Sequence, residues 1–106
     1  MIFIFGGAYQ GKHDFALGFG REIVDNLEDV CRECLRNDIE AGGWLEEHRN
    51  LWQDKIVICT DVSQGLVPMD KEERAYREMM GRMMIYLMKE AEEAYRVLAG
   101  LGQRVK

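Results

Sequence analysis

Proline occurs once in the chain, at Pro68, and cysteine three times, an odd number. So few thiols, unpaired in count, argue against a disulfide framework and for reduced cysteines in a cytoplasmic protein. No basic tract interrupts a net charge of −5, so nucleic acid is not an expected partner. No apolar run reaches the roughly 20 residues that cross a bilayer, and no charged leader with a cleavage site precedes Ile2. A membrane partner is therefore not expected either. Linkers, repeats and low-complexity stretches are also missing, which makes the 106 residues a single domain, 1–106, with a modest core.

Glycine is plentiful, and its distribution is informative. Gly6-Gly7-Ala8-Tyr9-Gln10-Gly11-Lys12 follows the apolar run Ile2-Phe3-Ile4-Phe5 and meets the Walker A pattern G-x-x-x-x-G-K at Gly6, Gly11 and Lys12. Such a loop lets consecutive backbone N–H groups converge on phosphate oxygens, and Lys12 brings a full charge to the β/γ-phosphates. His13 stands where Ser or Thr normally supplies the hydroxyl ligand of magnesium. Imidazole is a softer ligand, better suited to zinc or copper. Phosphate binding by residues 6–13 is therefore expected, while magnesium needs another ligand.

The rest of the chain alternates. Lys12 to about Gly20 reads as a helix, and Glu22–Asp25 as a short strand ending in an acid. Residues 28–40 have helical spacing, Gly42-Gly43 reads as a break, and Trp44–Trp52 as another short helical piece. Lys55–Thr60 is a β-branched strand leading to Asp61. Asp70, with Glu73, can cap a long helix to about residue 92, carrying Tyr76, Met80, Met83 and Leu87 on one face. Tyr95–Ala99 reads as a strand, Gly100–Gly102 as a turn and Gln103–Lys106 as an edge strand. This predicts an α/β fold, a P-loop NTPase-like, mostly parallel sheet flanked by helices with a C-terminal strand–turn–strand. Ligands bind beyond the carboxyl ends of such strands, where the loop after Phe5, Asp25 and Asp61 all fall.

Asp61 and Asp25 are candidate magnesium ligands, or acceptors of a substrate hydroxyl's proton. Cys31 and Cys34 have C-x-x-C spacing without a second pair, which suits one packed helix face better than zinc. The methionines Met79, Met80, Met83, Met84 and Met88 read as core filling, with part of the stripe available to another subunit. His48 reads as a surface residue.

Thr60-Asp61-Val62-Ser63-Gln64-Gly65-Leu66-Val67-Pro68, taken with the glycine loop, resembles the bifunctional adenosylcobinamide kinase / adenosylcobinamide-phosphate guanylyltransferase family of cobalamin biosynthesis. The helix residues Arg74-Ala75-Tyr76-Arg77-Glu78 and Gly81-Arg82 fit that family's pattern, and Leu98-Ala99-Gly100-Leu101 is similar to its ending, with Gly102 in place of the usual proline. The similarity covers residues 1 to about 17 and 55–106. It implies phosphorylation of the cobinamide aminopropanol hydroxyl by ATP or GTP with magnesium, followed by guanylyl transfer through a histidine–GMP intermediate. It also implies homo-oligomers. On this reading Lys12 and Asp61 are catalytic, Gly6, Gly7, Ala8, Tyr9, Gln10, Gly11, Lys12 and His13 bind nucleotide, and Asp61 and Asp25 hold the metal. Adenosylcobinamide is then the acceptor. The segment that carries the guanylylated histidine in longer members is contracted here, and residues 14–47 contain no histidine. The kinase half is therefore the better matched, and a non-catalytic nucleotide- or corrinoid-binding module is the alternative.

Overall fold

In a computed structural model, described over residues 1–61 and 70–106, the elements follow in the order β1 (Ile2–Gly6), α1 (Lys12–Leu17), β2 (Ile23–Val24), α2 (Leu27–Arg36), α3 (Ala41–Glu47), a 3-10 turn (Arg49–Leu51), β3 (Ile56–Thr60), α4 (Lys71–Glu90), β4 (Glu93–Leu98) and β5 (Leu101–Arg104). The Val62–Pro68 part of the acid-Val segment lies outside the described residues. The strands form one sheet in the order β2-β3-β1-β4-β5. β2, β3, β1 and β4 run parallel, and β5 closes the edge antiparallel to β4. The expected mostly parallel α/β sheet with its C-terminal strand pair is what the chain forms.

Apolar residues on both faces of the central strands make this arrangement stable. Successive side chains of a strand point to opposite faces. Phe3, Val57, Cys59 and Ala94 therefore meet one core with Tyr76, Met80, Met83 and Leu87 of α4 and Leu27, Cys31 and Cys34 of α2. Ile2, Ile4, Ile56, Ile58 and Val97 face the other way, onto Ala16 of α1. There Phe15, Phe19 and Tyr95 form an aromatic cluster with ring centroids 5.2–5.5 Å apart.

α4 begins as its sequence requires. The Asp70 carboxylate accepts the Glu73 N–H at 2.8 Å, satisfying one of the orphan donors of the first turn. Its methionines Met79, Met80 and Met83 are buried, as core filling requires, and Cys31 and Cys34 are buried on one face of α2.

Several local expectations fail for tertiary reasons. Gly42 and Gly43 lie inside α3 rather than breaking a helix, because buried Ala41 and Leu45 anchor that turn against its neighbours. α2 stops at Arg36, short of residue 40, and its chain reverses through Asp38 at φ 55°. Trp44 belongs to α3, and only a 3-10 turn follows it before Trp52, whose indole N–H donates to the Leu45 carbonyl at 2.9 Å. α1 ends at Leu17. β4 starts at Glu93, and the C-terminal turn is Ala99-Gly100, so Leu101 already belongs to β5. His48 is half-buried, stacked on Trp44 with ring centroids 4.0 Å apart, rather than a free surface side chain. Among the described residues, no helix is long and apolar enough to cross a membrane.

Candidate functional site

The carboxyl ends of β1, β2 and β3 share one edge because those strands are parallel and adjacent. Gly6 closes β1 directly beside β4. A Cβ there would stand 2.4 Å from the Val97 carbonyl oxygen, so only glycine allows the loop to leave the sheet at this point. The Asp61 N–H donates to the Gly6 carbonyl at 2.8 Å and fixes the loop's root to the end of β3. The loop turns through Tyr9 at φ 59°, and Gly11 at φ 87° caps α1, where a left-handed residue is wanted and a side chain would be strained. Gly11 also lies against the β4–β5 turn, with 3.2 Å between the position of an added Cβ and Gly100 Cα.

Lys12 is the one buried charged residue among those described, 8% exposed. Its ammonium group donates to the Gly7 carbonyl at 2.7 Å, so the side chain curls back over the loop it follows. Burial pulls its pKa below the ordinary lysine value, while the Glu28 carboxylate and the Cys59 thiol oppose the shift. Glu28, in the first turn of α2, accepts the backbone N–H of Thr60 at 2.8 Å. It thereby ties the start of α2 to the end of β3 and turns a carboxylate toward the lysine. Sequence reading missed Glu28. The available signal was its position three residues after Asp25, in the first turn of α2 at the same strand edge.

These residues line an open cleft of about 350 Å³. Tyr9, Gln10, Gly11, Lys12 and His13 form one wall, and Asp25, Glu28, Ile58 and Thr60 the other, with Asp14 at the first turn of α1. His13 and Asp25 face each other across it, Nδ1 to Oδ2 3.9 Å. The Tyr9 ring stands fully in solvent at the mouth. Of the residues expected from sequence, the structure thus gathers the loop and Asp25 around one cleft, and brings Asp61 to the loop's root through its backbone. His48 lies apart, its Nδ1 2.8 Å from the Trp44 carbonyl oxygen.

Chemically, the cleft is lined by the loop residues Tyr9 to Gly11, one lysine and three carboxylates. A polyanion there would need a cation to offset Asp14, Asp25 and Glu28. Among the described residues no group of three His, Cys, Asp or Glu is placed to hold a metal unaided.

The molecule is thus an α/β protein whose glycine-rich loop opens a cleft at the carboxyl edge of a parallel sheet. Residues 22–105 match the family described as cobinamide kinase / cobinamide phosphate guanyltransferase, and the chain belongs to that family. No curated protein matches the chain. The match takes in residues 22–54, which the motif-level resemblance left out, and begins after the loop, so the reading of residues 6–13 rests on their own pattern and geometry.

Proposed function

We propose that the cleft binds the triphosphate of ATP or GTP and serves the kinase half of the family's chemistry, phosphoryl transfer to a cobinamide hydroxyl. The observation that carries this reading is Lys12, a lysine held almost out of water beside a carbonyl at a cleft. A buried ammonium is costly to keep, and a site that receives phosphate is a reason to keep it. Leaving Gly7, Nζ would meet the β/γ-oxygens while the amides of Gly7–Gly11 surround the phosphates. In the transfer, the acceptor's hydroxyl oxygen bonds to the γ-phosphorus as the bond to the β–γ bridging oxygen breaks. The nucleoside diphosphate leaves, and the hydroxyl proton passes to a carboxylate, Asp61 or Asp25. Magnesium, when bound, would neutralise charge on the phosphates, and Asp25, Asp61 and Glu28 are the residues that would hold it, directly or through water. Guanylyl transfer through a histidine would fall to His13, since His48 lies outside the cleft.

His13 favours a second reading, in which the chain binds nucleotide or corrinoid without turning it over, because an imidazole replaces the usual hydroxyl. Calorimetry with ATP and GTP, with and without magnesium, combined with a transfer assay to adenosylcobinamide, separates the two. Magnesium-dependent binding with transfer, strengthened in His13→Ser, supports the kinase. Binding that ignores magnesium, with no transfer in either protein, supports the module; no nucleotide binding overturns the kinase and the nucleotide-binding module, and titration with adenosylcobinamide alone then decides the corrinoid-binding form. Sedimentation at micromolar concentration tests the homo-oligomer that the resemblance implies.

A further inference from the structure

The loop's geometry depends on a distant part of the chain. The β4–β5 hairpin turns through Ala99 and Gly100, both at positive φ (50° and 80°), as a two-residue hairpin turn of the favoured hand requires. Gly100 suits this conformation and Ala99 does not, so the turn benefits from outside support. That support comes from one residue of the loop. The Ala99 N–H donates to the side-chain Oε1 of Gln10 at 2.7 Å, and the Gly100 N–H donates to the Gln10 backbone carbonyl at 2.7 Å. Gly11 packs on Gly100 directly beside these bonds.

We infer that the β4–β5 turn is a latch that holds the Gly6–His13 loop in its ligand-ready shape, with Gln10 as its positioning residue. Gln10 sits between Tyr9, at φ 59°, and Gly11, at φ 87°, both left-handed. Fixing its carbonyl and side chain from outside therefore fixes the turn that Tyr9, Gln10 and Gly11 make along the wall of the cleft. A loop set before its ligand arrives loses less conformational freedom on binding. Coupling is reciprocal, so a ligand on the loop must also steady the hairpin. As a contribution to affinity, this inference rests on the phosphate-binding reading above. As a mechanical link, it stands without a ligand.

The test uses Gln10→Leu, which keeps bulk but removes the acceptor, with inorganic tripolyphosphate as the probe. Amide hydrogen exchange of Ala99 should accelerate at least about tenfold, and that of Gly7–Gly11 should rise with it. Tripolyphosphate should bind roughly fivefold more weakly, the loss of one modest hydrogen bond, with little change in melting temperature. Gln10→Glu keeps an acceptor oxygen at the same reach and should restore Ala99 protection. In the parent protein, tripolyphosphate should slow exchange at Ala99. Faster exchange at Ala99 alone, with the loop amides unmoved, overturns the latch, as does no change at Ala99. If the parent binds no tripolyphosphate, the functional reading falls, while the exchange data still decide the latch.

Discussion

Replacing Lys12 with methionine separates what this residue does for the fold from what it does for a ligand. In the folded chain the ammonium is 8% exposed, and its one described protein acceptor is the Gly7 carbonyl at 2.7 Å. Losing that charge-assisted hydrogen bond costs about 1.5–3 kcal/mol. Removing the charge relieves a desolvation penalty of a few kcal/mol, and a thioether of similar length fills the same space. Glu28 keeps its bond from the Thr60 N–H, so no carboxylate is stranded. The terms oppose each other at similar size, and the expected net change is within about 1 kcal/mol, a melting shift of no more than roughly 8 °C for a domain of this size. Binding has no such offset. Tripolyphosphate should lose about 2–3 kcal/mol, roughly 30- to 150-fold in Kd, read by calorimetry. The pH dependence has a definite sign. A lysine whose folded pKa is depressed penalises folding wherever it is charged in both states, and the penalty fades as pH rises through the folded pKa toward the unfolded value of 10.5. Any stability advantage of Lys12→Met should therefore be largest near neutrality and shrink above it. A melting temperature far lower than the parent's, with tripolyphosphate affinity unchanged, would show Lys12 to be structural and refute the reasoning.

Gly102→Ala should destabilise the chain by about 1–3 kcal/mol, because the new Cβ would stand 2.2 Å from the Phe15 ring, which is held in turn by Phe19 and Tyr95. Thermal melting measures this, and an unchanged midpoint would mean that the aromatic cluster gives way freely. The three thiols should resist a disulfide reagent at mildly alkaline pH until denaturant is added, since all are buried and burial pushes the Cys31 thiol up to about 11. Rapid native labelling of Cys31 would contradict that packing.

Strand identity and order of elements were legible because they depend on local pattern. Ile2–Phe5 and Lys55–Thr60 are apolar and β-branched, and one capping acid followed by Tyr76, Met80, Met83 and Leu87 at helical spacing defines α4. The parallel sheet and the placement of the loop, Asp25 and Asp61 along one edge then follow from alternation. Gly42-Gly43 misled because two weak helix formers are overruled by the burial of Ala41 and Leu45, which no local window contains. The turn expected at Gly100–Gly102 falls at Ala99-Gly100 for a related reason, since Gln10 helps to set it from 89 positions away.

By itself, the sequence determined an α/β chain with a glycine loop, a lysine and strand-end acids, because these are matters of spacing along one segment. Tertiary structure alone decided that Lys12 is buried, that Glu28 faces it, that His48 lies elsewhere and that the C-terminal hairpin grips the loop. Those facts depend on which segments the fold brings together, and contact between distant segments leaves no periodic trace in the chain.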